Sequence, residues 1–364
     1  MAHPPRRPDS LRPGSAAVVC TGGAATRFET RPRPRPGRGE MVLRLRGCGL
    51  CGTDLFKLAH GAAAPGTVLG HEVVGSVEDL GEGTAGFDLG DRVVVPHHVP
   101  CGKCPLCERG SETLCAAFRE NLLDPGGFSE HIRVKERAVK LAARRIPDGI
   151  ADEAAVFMEP AACVRRGVSR AGLPPEEAKG CAVVLGAGSM GLLHLLVLKA
   201  LQPGLRVLVS DTVPERLGLA ERLGAAAAKP PGESGIAAAV RETTAGLGAD
   251  AVFDTVGGAA LLDAALDLTR EGGTVVLFAH ASGGERARFD LNRLFRHERR
   301  VVGTYSGTVG DQEEVFRMIA ACRLDPRPLI THKLPLGRFQ EAVELTRARR
   351  ALKVLLVPEG EEDR

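Results

Sequence analysis

Gly186-Ala-Gly188-Ser-Met-Gly191 stands between the continuous apolar run Ala182 to Leu185 and the apolar helical stretch Leu192 to Leu201. A second strand-like run, Arg206 to Ser210, then ends on Asp211. An isolated glycine triplet says little, but a strand before it, a helix after it and an acid closing the next strand make the β-turn-α-β unit of a dinucleotide-binding fold. The first glycine permits the tight turn. The second lets the backbone approach a pyrophosphate, and the third lets helix and strand pack closely. The helix N-terminus faces the phosphates, and Ser189 and Met190 between the glycines join them as cofactor-binding candidates. Asp211 is placed to accept from the adenosine ribose hydroxyls and to repel a 2′-phosphate, which favours NAD over NADP. Arg216, one helical turn on, works against that preference unless it belongs to a solvated helix face, its simpler role.

Further α/β units follow at Ala251 to Thr255, Gly273 to Phe278 and Arg300 to Gly303. The first third reads differently. Ala16 to Cys20, Met41 to Arg46, Val73 to Val77, Arg92 to Val95 and Glu130 to Val134 are short β-type runs separated by glycine turns, as in a compact β-barrel-like unit. Arg31 to Gly39 is loop. From Ala151 to Gly167 the pattern is helical, with Pro160 near the helix start and Glu159 just before it. Leu329 to Pro358 returns to short strands around an amphipathic segment, Phe339 to Arg349.

Two short runs in the first third carry chemistry. Cys51-Gly52-Thr53-Asp54 and Gly70-His71-Glu72 offer a thiolate, an imidazole and a carboxylate, a borderline-soft set that Zn²⁺ accepts with a coordination position left open. Asp54 is close enough to accept the second imidazole N–H of His71. By themselves these residues fit a core cysteine and a hydrogen-bonded histidine near a turn equally well. Cys101, Cys104, Cys107 and Cys115 place four thiols in fifteen residues, enough to close a Cys₄ structural zinc shell. The alternative is an iron–sulfur cluster, but there the fourth cysteine follows after three residues and precedes proline; Cys115 follows after seven and precedes Ala116.

Composition narrows the function classes. A chain of 364 residues suggests two domains, each able to bury a core. A net charge of +3, one Tyr and no Trp argue against a nucleic-acid partner, and no apolar run is long enough to span a bilayer. The Arg- and Pro-rich start, Met1 to Gly14, lacks an apolar signal segment and reads as a disordered tail. Ten cysteines without a secretory signal point to a reducing, cytoplasmic setting in which clustered thiols bind metal.

In this order the motifs resemble those of the zinc-dependent medium-chain dehydrogenase/reductase superfamily, over roughly Ala16 to Pro358. Cys51-Gly-Thr-Asp54, Gly70-His-Glu72, the four-cysteine lobe, Glu159-Pro160 and Ala351-Leu-Lys-Val354 look most like its polyol (sorbitol) and threonine dehydrogenase branch. The resemblance implies an α/β-plus-β chain: a GroES-like β-barrel catalytic domain (16–160 and 306–364, with the zinc lobe at 97–116), a doubly wound Rossmann domain (161–305) and a tail (1–15). It implies two zinc ions. Cys51, His71 and Glu72 would hold the catalytic one, with Glu159 approaching it directly or through water; the four lobe cysteines would hold the other. It further implies transfer of hydride from a secondary alcohol or polyol to NAD, with Thr53 passing the hydroxyl proton on, in a homo-oligomer acting on a small molecule.

Many relatives carry a histidine two residues after the aspartate, where this chain has Phe56; the proton path would then end in water or another group, with His60 a candidate. His97 and His98 read as loop residues. The rival readings are an NADP-dependent aldehyde reductase of the same fold and a catalytically silent zinc- and nucleotide-binding protein. The silent protein should have lost a ligand or a phosphate-loop glycine, and none is missing.

Overall fold

The computed structural model describes residues 14–361 except 282 and 289. The tail expected at the start lies outside the described residues up to residue 13, and Ser15 already opens the first strand. The chain forms two compact units: one runs up to Glu159 and resumes at Ile330, and the other is Pro160–Leu329.

In the first unit β1 (Ser15–Gly22) and β2 (Ala25–Arg31) pair antiparallel as a two-stranded sheet. β2 has no counterpart in the sequence reading. It is largely exposed, and TRFETR lacks a buried face that alternation would reveal. Then come β3 (Met41–Gly49), β4 (Glu72–Leu80), β5 (Arg92–Pro96), β6 (Leu123–Asp124), β7 (His131–Val134) and β8 (Arg144–Arg145). Met41, Leu43, Val73, Val74, Val93, Val95 and Ile132 are fully buried and make the strand core.

The second unit is a six-stranded sheet: β9 (Cys181–Leu185), β10 (Arg206–Ser210), β11 (Ala227–Lys229), β12 (Ala249–Asp254), β13 (Thr269–Leu277) and β14 (Arg300–Gly303). Every pairing is parallel, in the order β11-β10-β9-β12-β13-β14. Counted from β9 that is 3-2-1-4-5-6, the doubly wound order with its switch point between β9 and β12. β9 is buried throughout, which is why its sequence is unbroken CAVVL rather than alternating.

After Leu329 the chain returns with β15 (Ile330–Pro335), the helix Phe339–Arg347 and β16 (Lys353–Val357). These complete the first unit's sheet, in the order β15-β16-β3-β4-β5-β8. β16 thereby lies beside β3, and β3 beside β4, an arrangement that brings Lys353–Val357 to the motif residues near positions 50 and 70.

Candidate active site

Asp54 draws the two motif segments together. It is fully buried in the first turn of the helix Gly52–Ala59, which begins just beyond Cys51. One carboxylate oxygen accepts from the Cys51 backbone N–H at 3.1 Å, and the other accepts from the Gly70 N–H at 3.3 Å. That second oxygen also faces His71 Nδ1 at 3.3 Å. Gly70 turns the chain at φ +89°, and a Cβ there would stand 2.8 Å from the backbone N of Phe128, so glycine is required. Cys51, His71 and Glu72 consequently bring a sulfur, a ring nitrogen and a carboxylate oxygen within 4.8 Å of one another.

The electrostatics of this cluster suit a cation. Burial opposes a charge on His71, yet neighbouring Asp54 and Cys51 outweigh it and hold the imidazole well above its ordinary pKa. Burial likewise pushes the Asp54 carboxyl up, but His71 and the two backbone N–H groups bring it below the usual value. A thiol, an imidazole and a carboxylate that together favour added positive charge are a fit donor set for zinc.

Glu72 has a partner that the sequence did not reveal. Both of its oxygens accept from Lys353 Nζ, at 2.7 and 2.8 Å, and both residues are buried. A carboxylate has about four lone-pair positions, so the ammonium leaves some for a metal. Lys353 starts β16 as the one charged residue in an otherwise apolar strand, which was the available signal.

Glu159 lies in the first turn of the helix Met158–Arg170 rather than just before it. Its Oε1 is 4.0 Å from Nδ1 of His97, and the cluster within 4.8 Å does not include it. The His97 ring stacks on His71 with centroids 4.6 Å apart and on His98 at 3.6 Å. Burial holds His97 well below its ordinary pKa, and His98 is lowered to about 4 for the same reason, so both are neutral at pH 7. Thr53 is half-buried in the same helical turn as Asp54. Phe56 is exposed, and its ring stacks on His60 at 4.1 Å.

In the four-cysteine lobe the sulfurs of Cys104 and Cys107 are 3.5 Å apart, those of Cys101 and Cys115 3.5 Å, and those of Cys101 and Cys107 4.0 Å. A disulfide would need about 2.05 Å. Four sulfurs about 2.3 Å from one zinc would have edges of about 3.8 Å, so the set fits a tetrahedral zinc shell. The Cys115 thiol is brought down to about 6, chiefly by hydrogen bonding with the backbone of Cys101, which favours the thiolate a metal requires.

The second unit offers a dinucleotide cradle at its switch point. Gly186 follows β9 with φ +96°, and Thr255, just past β12, donates its hydroxyl to the Leu185 carbonyl at 2.7 Å. A Cβ at Gly191 would stand 1.8 Å from the Gly186 carbonyl oxygen, so the helix Ser189–Leu201 can pack on the turn only with glycine there. A Cβ at Gly188 would meet nothing within 4 Å. Beside that space the buried hydroxyl of Ser189 has no hydrogen-bond partner, and the helix start, with Met190 second, carries no side-chain cap. Open space, an orphaned hydroxyl and free helix N–H groups fit a pyrophosphate. Asp211 accepts from Ala187 N at 2.7 Å and from Val213 N at 2.9 Å, while Arg216 Nη1 is 3.9 Å away.

Comparison with known proteins places the chain in a family. Residues 37–144 match the alcohol dehydrogenase GroES-like domain, and residues 189–321 match the zinc-binding dehydrogenase domain. The chain is 29% identical to a sorbitol dehydrogenase of Halalkalibacterium halodurans, over 91% of this chain and 95% of the relative. It is 30% identical to an erythritol/L-threitol dehydrogenase of Mycolicibacterium smegmatis, over 94% and 97%. Among solved structures it is similar to the alcohol dehydrogenase TADH from Thermus sp. ATN1, with a TM-score of 0.82, 30% identity and coverage of 94% and 100%. The GroES-like unit, the parallel dinucleotide-binding sheet and the zinc-type ligand clusters therefore have one explanation: the chain belongs to the zinc-binding dehydrogenases of the alcohol dehydrogenase family.

Proposed function

We propose that this dehydrogenase oxidises a secondary alcohol or polyol with NAD, using a catalytic zinc at Cys51, His71 and Glu72, with Glu159 nearby, and a structural zinc at Cys101, Cys104, Cys107 and Cys115. The observation that carries the reading is Asp54, which ties Cys51 to Gly70-His71 through hydrogen bonds of 3.1 and 3.3 Å and so makes three donor types converge. When bound, zinc supplies Lewis-acid polarisation of a substrate oxygen, and the nicotinamide supplies a hydride acceptor.

The chain's own residues do the rest. Asp54 accepts from Nδ1 of His71, which leaves the other ring nitrogen for the metal. Thr53 takes the hydroxyl proton of the substrate at its Oγ1 and passes it on. Phe56 is exposed in place of a histidine, so the proton leaves to water at this edge of the helix. Gly186, Gly188 and Gly191 shape the phosphate turn, with Ser189 and Met190 at the helix start. Asp211 keeps lone pairs for the ribose hydroxyls while bracing Ala187, and Arg216 remains within reach of that carboxylate. The ten cysteines, none of them in a disulfide, suit a reducing cytoplasm, and a homo-oligomer is the expected assembly.

The test is a panel of polyols, amino alcohols and simple secondary alcohols, each with NAD and NADP, before and after removal of zinc. The reading expects NADH formation from at least one polyol or secondary alcohol, loss of rate on zinc removal and recovery on its return. Asp211→Ser should lower the NAD:NADP ratio of kcat/KM by about tenfold or more. A wild type that prefers NADP would instead favour the aldehyde reductase reading.

A further inference from the structure

His97 follows β5 and leads into the four-cysteine lobe. Its carbonyl accepts from Leu122 N at 2.9 Å, which fixes the backbone. Its ring is held between His71 and His98, with centroids 4.6 and 3.6 Å away, and His98 in turn packs tilted against Phe118 at 5.2 Å. A ring so braced has little rotational freedom. Yet its Nδ1 is buried with no hydrogen-bond partner, and Glu159 Oε1 is 4.0 Å from it. A buried ring N–H normally has an acceptor. A carboxylate one small side-chain movement away is the acceptor at hand.

We infer that His97 is a positioning residue for Glu159: its Nδ1–H closes onto the carboxylate and steers the other oxygen toward the metal at Cys51 and His71. This rests on the reading above that Glu159 approaches that metal. The stacking on His71 means that one ring registers both the ligand imidazole and the approaching carboxylate. Glu159 stands in the first turn of the helix Met158–Arg170.

The test uses full-length enzyme with cobalt(II) in place of zinc, read by its visible absorption bands and by the rate of metal release to a chelator. The metal in the lobe serves as internal reference. His97→Phe keeps the ring and removes the donor; it should shift the bands of the Cys51–His71 site and speed its metal release by about tenfold or more, with lobe metal unchanged. His97→Asn, which offers an amide N–H at a similar reach, should restore release to within about twofold of wild type. In a Glu159→Gln background, His97→Phe should add nothing further. The inference is overturned if His97→Phe leaves bands and release as in wild type, or if His97→Asn behaves like His97→Phe, which would assign the effect to packing. Additive effects in the double variant overturn it too. Where it falls, Glu159→Ala separates the two ideas: altered bands in that variant keep Glu159 at the metal and remove only His97, whereas wild-type bands remove both.

Discussion

Lys353 Nζ and the carboxylate of Glu72 meet across a strand that separates them. Lys353 begins β16, Glu72 begins β4, and β3 runs between with Gly49 opposite Glu72. A Cβ on Gly49 would stand 1.9 Å from Glu72 Oε2. The pair therefore exists because the intervening strand presents a bare backbone at that position. Lys353 Nζ also reaches the Leu50 carbonyl at 3.4 Å, one residue before Cys51. Burial alone would depress the Lys353 pKa, but the Glu72 carboxylate outweighs it and raises the value, so the ammonium persists at neutral pH.

Removing one member of such a pair should be far worse than removing both. Lys353→Met strands a buried carboxylate and should cost about 3–5 kcal/mol in urea unfolding at pH 7. Glu72→Leu should do the same to the ammonium. The double variant should lose less than either single variant, far below the summed loss, a coupling that distant residues do not show. Gly49→Ala should approach the cost of a single variant, because its methyl occupies the place of Glu72 Oε2. Single losses below about 1 kcal/mol would mean that the two charges contribute little to the fold.

The lobe gives a second expectation, read by metal analysis. Native enzyme should carry two zinc ions per chain. Cys115→Ser removes the thiol whose pKa the Cys101 backbone lowers to about 6, and it should leave about one zinc per chain and a lobe open to protease between residues 101 and 115. The Cys51–His71 metal should stay, since its donors come from other segments. An iron–sulfur cluster in the native protein would show at once as visible colour and iron.

Much of this was legible in sequence because the informative residues are constrained locally. Gly186, Gly188 and Gly191 lie within six positions, β9 is short and wholly buried, and the four lobe cysteines span fifteen residues. Asp54 was readable as partner of His71 because one helical turn and one strand start fix both. Lys353 was not. Its partner lies 281 residues away, and the contact depends on which strand separates β16 from β4. His97 escaped for a similar reason: two adjacent histidines before a cysteine lobe look like loop, and only the pairing of β5 with β4 beside His71 shows one ring against the other. β2 escaped because an exposed strand leaves no apolar alternation, and the helix after Gly188 started three residues early because Gly188 itself precedes its first turn.

His194 sets the pH expectation. It is fully buried in the helix Ser189–Leu201, with Nδ1 donating to the Met190 carbonyl at 2.7 Å and Nε2 without a partner against Phe253 and Phe278. Burial lowers its pKa to about 4 from the ordinary 6.5, so the unfolded chain binds a proton that the folded one refuses between those values. Stability then rises with pH across that window and falls as pH drops from 6.5 toward 4. At pH 5 the penalty should be about 2 kcal/mol relative to pH 7. His194→Leu, similar in size and without a titrating group, should remove that part of the acid loss in denaturant titrations at pH 5 and pH 7. An unchanged difference between the two pH values would place the acid sensitivity elsewhere.

The second and third glycines of the dinucleotide motif should fail in opposite ways. Gly188 has φ −73° and ψ −174°, extended backbone that alanine adopts, and its added methyl would meet nothing within 4 Å. Gly188→Ala should therefore leave stability within about 0.5 kcal/mol of wild type. Its methyl would instead stand where a pyrophosphate must come close to the backbone, beside the unpartnered Ser189 hydroxyl, so NAD binding should weaken by about tenfold or more, equal to about 1.4 kcal/mol. Gly191→Ala meets the Gly186 carbonyl oxygen at 1.8 Å, which forces helix and turn apart and should cost about 1–3 kcal/mol of stability with or without cofactor. Denaturant unfolding of both variants, paired with NADH fluorescence titration, separates the effects. A Gly188→Ala protein that binds NADH as wild type does would show that the open space over this turn is not where the phosphates lie.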